Sequence, residues 1–148
     1  MVKRVGEHIT IDIIGTKREY SPSFYEKLVY KIAKKAKVVV LEISKHKFEP
    51  QGFTLVALLA ESHISFHTFP EKGIISFDFF TCGKVSPSIS IEIIKKEIEH
   101  KRIIKKEFNR DTIALYDDIY SSPGLKKYYI VNNILEDFTS KAGQHIEI

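Results

Sequence analysis

Phe53-Thr54-Leu55-Val56-Ala57-Leu58-Leu59-Ala60 runs directly into Glu61-Ser62-His63-Ile64-Ser65-Phe66-His67-Thr68-Phe69-Pro70-Glu71, and Lys72-Gly73 then leads into Ile74-Ile75-Ser76-Phe77-Asp78-Phe79-Phe80-Thr81-Cys82-Gly83. The first run is short, apolar and free of helical punctuation, the mark of a buried strand. Glu61 and Ser62 then fall near the point where it meets solvent. Pro70 and the Lys72-Gly73 pair make a turn, and Ile74 to Phe80 returns alongside. The resulting hairpin brings Cys82 back toward the level of the Ser62 to His67 segment. Hydroxyls, imidazoles, carboxylates and the chain's only thiol are thereby gathered on paired strands, the groups that acid/base and nucleophilic chemistry needs.

Working outward, Val5 to Ile14 alternates, with Ile9, Ile11 and Ile13 on one side and His8, Thr10 and Asp12 on the other. That is the period of a strand with one wet face. Ser21-Pro22-Ser23 provides a cap and a proline for a helix ending near Lys37. Ser23 and Glu26 fit a capping box, and Phe24, Leu28, Ile32 and Ala36 recur at i+4. Val38 to Ile43 is short and β-branched, a further strand. Lys45 to Gly52 is expected to be a loop carrying His46, Phe48 and Pro50. After Cys82-Gly83, Ser86-Pro87 repeats the cap-and-proline device, and Ile91, Ile94 and Ile98 give a second helix facing the sheet. Arg102 to Phe108 is a last strand. Two helices with single apolar stripes and a sheet built on a hairpin predict an α+β two-layer sandwich, a mostly antiparallel sheet with both helices on one face.

The 148 residues make one ordinary domain, long enough to bury about 70% of the unfolded surface. The net charge of +4 raises the question of an anionic partner. The basic residues are spread along the chain, however, and the densest cluster, Lys95 to Lys106, interleaves with Ile93, Ile94, Ile98, Ile103 and Ile104. With no recognition motif and no aromatic-basic stripe, no nucleic acid partner is expected. One cysteine allows no internal disulfide, and the opening Met1-Val2-Lys3-Arg4-Val5-Gly6-Glu7 has no apolar signal region, so a cytoplasmic location is expected. No apolar run approaches membrane-spanning length, so no membrane partner is expected.

The strings Glu61-Ser62-His63, His67-Thr68-Phe69-Pro70-Glu71 and Phe80-Thr81-Cys82-Gly83, in that order and spacing, closely resemble the prokaryotic S-adenosylmethionine decarboxylase proenzymes. The resemblance extends from about Gly6 to Arg110, so residues 1–110 are expected to form the decarboxylase-like domain and residues 111–148 a C-terminal extension. In that tail Asp117-Asp118, Ser121-Ser122-Pro123-Gly124 and Lys126-Lys127 read as a linker, and Tyr128 onward has strand character. The part from Ile134-Leu135 to Ile148 has a weak likeness to the opening strands of spermidine synthases, which would make such an enzyme a partner through the tail. An extra strand or arm packing on the core or on a second subunit is the competing reading.

The resemblance implies a self-processing, pyruvoyl-dependent enzyme of polyamine synthesis, used as a homodimer with active sites close to the subunit interface. A decarboxylase needs an electron sink that no ordinary side chain supplies. By resemblance the scissile bond is Glu61-Ser62, and Ser62 becomes a pyruvoyl cofactor that takes the substrate amine as a Schiff base. His67 would transfer the Cα proton during processing, and Cys82 would return a proton to the substrate carbon. Thr54 stands where the family commonly has a processing serine. Phe48 and Phe69 suit stacking on adenine and cation-π contact with a sulfonium, although core packing is the other reading of each. Phe69 departs from the family's more usual tryptophan. Glu71 suits the two ribose hydroxyls, and His63 has no assigned step. His63, His67, Cys82 and Glu71 are metal-ligand types, but their spacing matches no closed zinc pattern, so no metal is expected. S-adenosylmethionine is the expected substrate. The competing readings are arginine or ornithine decarboxylation by the same chemistry, or an unprocessed homologue that binds ligand or regulates a partner.

Overall fold

The structure, a computed structural model, describes residues 5–110, 128–131 and 134–137. Six strands form one sheet: β1 (Gly6–Ile14), β2 (Val40–Lys47), β3 (Phe53–Leu59), β4 (Ser62–Phe69), β5 (Ile74–Thr81) and β6 (Arg102–Arg110). Their spatial order is β2-β3-β4-β5-β1-β6. β2 to β5 form an antiparallel meander, and β1 inserts antiparallel to β5. Two helices, α1 (Pro22–Ala36) and α2 (Ser90–Glu97), complete the expected two layers.

The alternation read in β1 is realised: Ile9, Ile11 and Ile13 are fully buried. They join Leu55 and Ala57 of β3, Ile64 and Phe66 of β4, and Phe77 and Phe79 of β5 under the stripe Tyr25, Leu28, Val29, Ile32, Ala33 and Ala36 of α1. The Tyr25 ring lies 5.4 Å from that of Phe53 and 5.3 Å from that of Phe66. Burying one such ring is worth roughly 1.5–3 kcal/mol, so the helix is held by its face and not by local propensity alone. The opposite face of the sheet carries Val56 and Leu58, both exposed.

Three local expectations are corrected. Ser21, not Ser23, caps α1: its hydroxyl accepts from the Phe24 N–H at 3.3 Å. Glu26 makes no capping box and instead pairs with Lys45 of β2. β2 also runs on through Lys47, so Lys45 to Lys47 are strand and the loop shortens to its end around Phe48 to Gly52. Backbone pairing with β3 overrides the polar composition there, as tertiary context commonly does in edge strands. The Ser86-Pro87 device first caps a single 3-10 turn, Pro87–Ile89, and α2 follows from it.

In the tail, β7 (Tyr128–Val131) and β8 (Ile134–Asp137) pair antiparallel with each other. The linker at 111–127 and most of the stretch likened to spermidine synthases lie outside the described residues. No described helix is long and apolar enough to cross a membrane.

Candidate active site

Ser62 begins β4 directly after the two-residue turn Ala60-Glu61, and its φ is 147°. That region disfavours any residue with a Cβ, and holding serine there costs on the order of 1–3 kcal/mol. The register Ser62↔Thr81 brings the end of β5 level with the turn. Cys82 then lies beside the peptide that precedes Ser62. The Glu61 carbonyl oxygen accepts the Cys82 backbone N–H at 3.0 Å and the Cys82 thiol at 3.2 Å. The Glu61 carboxylate accepts from the Val39 N–H at 3.2 Å. Cys82 is exposed, not the small buried residue that a lone cysteine usually is. Past it the chain turns tightly: the Gly83 N–H donates to Thr81 Oγ1 at 2.9 Å. A Cβ on Gly83 would meet that oxygen at 3.0 Å.

A second group lies at the other end of β4. His67 is paired with Thr54 of β3 in the sheet, and a 3.0 Å hydrogen bond joins Thr54 Oγ1 and His67 Nδ1. Phe69 ends the strand, Pro70–Lys72 forms one 3-10 turn carrying the exposed Glu71, and Gly73 closes it in the left-handed region at φ 63°. Phe48 and Phe69 are exposed, at 47% and 37%, so neither is core. Lys72 Nζ stands 5.5 Å from the centre of the Phe69 ring. Beside it opens a cleft of about 290 Å³ lined by Asp12, Phe69, Lys72, Ser76 and Ile104, in which the Ser76 hydroxyl donates to Asp12 at 2.9 Å.

The two groups do not meet within one chain. Ser62 shares a sheet position with Leu59 and Thr81, on the face the helices cover, while His67 is five residues on and on the opposite face. At roughly 3.3 Å per residue that is about 16 Å along the strand. His63, which the sequence left without a role, shares a partner with His8: its Nε2 bonds Asp78 Oδ2 at 3.1 Å, and His8 Nε2 bonds Oδ1 of the same carboxylate at 2.6 Å. Burial alone would raise the Asp78 pKa, but the hydrogen bonds and charge of His8 and His63 outweigh it and hold the carboxyl below its usual range. Sequence reasoning missed this trio because its members are up to 70 positions apart. The only available signal was that each sits at a wet position of an alternating strand.

The S-adenosylmethionine decarboxylase family model matches residues 7–111. A protein of Prochlorococcus marinus (strain MIT 9313) named S-adenosylmethionine decarboxylase proenzyme is 37% identical over 74% of this chain and 90% of its own length. One of the same name from Methanococcus maripaludis (strain C7) is 36% identical over 77% of this chain and 96% of its own. The crystal structure of the adenosylmethionine decarboxylase from Aquifex aeolicus VF5 superposes with a TM-score of 0.66 at 33% identity, covering 73% of this chain and 92% of that one.

Proposed function

The chain belongs to the S-adenosylmethionine decarboxylase family, and from that premise we propose that residues 1–110 form a self-processing decarboxylase of S-adenosylmethionine in which Ser62 becomes a pyruvoyl group. The observation that carries this reading is the doubly donated carbonyl of Glu61, with both donors from Cys82, next to a serine in a strained conformation.

Attack of Ser62 Oγ on the Glu61 carbonyl carbon forms a C–O bond and breaks the peptide C–N bond. Glu61 is then an ester on Oγ, and residue 62 has a free amine. Charge builds on the carbonyl oxygen during the attack, where the N–H and thiol of Cys82 already donate; one such donor is worth roughly 10²–10³ in rate. Strain at Ser62 disappears once the amide is gone, which favours the shift. His67, oriented through Nδ1 by Thr54, removes the Cα proton; the Cβ–O bond breaks and Glu61 leaves as a carboxylate. The dehydroalanine left behind takes up water and loses ammonia, giving a ketone at the new chain start. A pyruvoyl group supplies the electron sink that decarboxylation requires. Cys82, exposed at the same junction, returns the proton to the substrate carbon. Phe48 and Phe69 hold the adenine, and Glu71 accepts from the ribose hydroxyls.

His67 cannot reach Ser62 of its own chain across about 16 Å of strand, and a cleft of about 290 Å³ is at the low end for an enclosed ligand of this size. The site is therefore shared in a homodimer: the Ser62 and Cys82 end of one copy faces the His67, Phe69 and Glu71 end of the other. The exposed Val56 and Leu58 on the open face are the apolar surface such a pairing covers.

Intact mass tests the reading. The purified protein should separate under denaturing conditions into two fragments divided before residue 62, the downstream one blocked at its start. It should release carbon dioxide from S-adenosylmethionine and not from arginine or ornithine. A single uncut chain that still turns over substrate would refute it.

A further inference from the structure

We propose that His8, His63 and Asp78 form a binding site for one divalent transition-metal ion of the zinc or cobalt class, on the open face of the sheet. β5 lies between β4 and β1, and Phe80 of β5 is paired with His63 on one side and His8 on the other. Asp78 is two residues along the same strand and on the same face, diagonal to both imidazoles. Three hydrogen-bonded strands thus fix three ligand side chains before any ion arrives. The ligand atoms all lie within 4.8 Å of one another. The rings of His8 and His63 stand at 79°, with centres 6.2 Å apart. Phe80 walls the site, its ring centre 5.8 Å from that of His8 and 5.9 Å from that of His63.

Tetrahedral bonds of about 2.0–2.1 Å to nitrogen and oxygen put ligand atoms roughly 3.3 Å apart. Each imidazole Nε2 already approaches an Asp78 oxygen, that of His8 at 2.6 Å from Oδ1 and that of His63 at 3.1 Å from Oδ2. An ion here would replace these two hydrogen bonds, with side-chain rotation bringing the ligand atoms to metal distance and each imidazole proton carried on Nδ1 so that Nε2 presents its lone pair. Two imidazoles and one carboxylate suit zinc, cobalt, nickel or iron(II), whereas magnesium and calcium prefer all-oxygen shells. Side-chain exposures of 20%, 43% and 28% for His8, His63 and Asp78 leave room for a further ligand within a single copy of the chain. Of the ligand types weighed from the sequence, His63, His67, Cys82 and Glu71, whose spacing led to the expectation of no metal, only His63 takes part. In a chain cut before residue 62, an ion here ties the second residue of the new chain end to two neighbouring strands.

The test uses the full chain carrying Ser62→Ala, so that its outcome is independent of self-cleavage, stripped with chelator and titrated with cobalt(II). One equivalent should bind with the visible absorption of a nitrogen- and oxygen-ligated ion, zinc(II) should displace it, and millimolar magnesium should not. Asp78→Asn and His8→Gln should each weaken binding at least tenfold, while His46→Gln should leave it unchanged. His63→Gln provides the same reading at a half-exposed position if the other two fail to fold. Absence of cobalt uptake, or uptake indifferent to all three substitutions, overturns the site.

Discussion

The two ends of β4 carry different kinds of chemistry. At the Ser62 end the machinery is backbone: a peptide with a strained φ, a carbonyl doubly hydrogen-bonded by one neighbour, and a glycine admitting a tight return. At the His67 end it is side chain: an imidazole oriented by a threonine, two exposed aromatic rings and a carboxylate on a short turn. The first end can polarise a bond, and its nearest imidazoles, His8 and His63, are engaged with Asp78. The second has the base and the binding surfaces but no bond to break. On the proposed reading each is half of a site, and a single antiparallel sheet holds them apart by the length of a strand.

The sharpest break of this contrast is Ser62→Ala, which should abolish both cleavage and turnover, leaving one uncut species by mass. His67→Ala alone should slow cleavage by roughly 10²- to 10⁴-fold, the usual worth of a general base. Co-expressed with the Ser62→Ala chain, however, the His67→Ala chain should be cut again, because the mixed dimer reunites an intact Ser62 end with an intact His67 end. Failure of that rescue in a confirmed mixed dimer would mean that the halves act within one chain.

Removing only the thiol sharpens the first half. Cys82→Ala should slow cleavage by about 10²- to 10³-fold, the value of one lost donor, while Cys82→Ser keeps a donor and should stay within about tenfold. Equal rates for the two would sever the thiol from the carbonyl. On the second half, Phe69→Trp should lower KM and Phe69→Ala raise it, each by about two- to twelve-fold, corresponding to roughly 0.5–1.5 kcal/mol of stacking; cleavage should be untouched. The smallest effect is thermodynamic. Ser62→Gly and Ser62→Ala should both remain uncut, but glycine tolerates the φ, so its chain should be more stable in urea by about 1 kcal/mol. Equal midpoints would remove strain from the account.

Much of the fold is legible in the residues alone. The alternation of Val5 to Ile14 and the return of Ile74 to Phe80 mark strands and their faces, since side-chain direction follows directly from the two-residue period. The strings around Ser62, His67 and Cys82 identify the family. The full extent of β2 is not legible, because Lys45-His46-Lys47 has the composition of a loop and only pairing with β3 makes it strand. The cap of α1 is ambiguous by two residues, because Ser21 and Ser23 both qualify locally and only the turn geometry chooses.

By itself the sequence determined the layers, the inward faces and the inventory of reactive groups, because those depend on local periodicity and residue chemistry. The tertiary structure alone decided who meets whom: that Cys82 reaches the Glu61 carbonyl, that His67 stays a strand's length from Ser62, and that His8 joins His63 on Asp78. Register and strand order fix these meetings, and both are set by burying one face of the whole sheet at once, a condition that no single segment encodes.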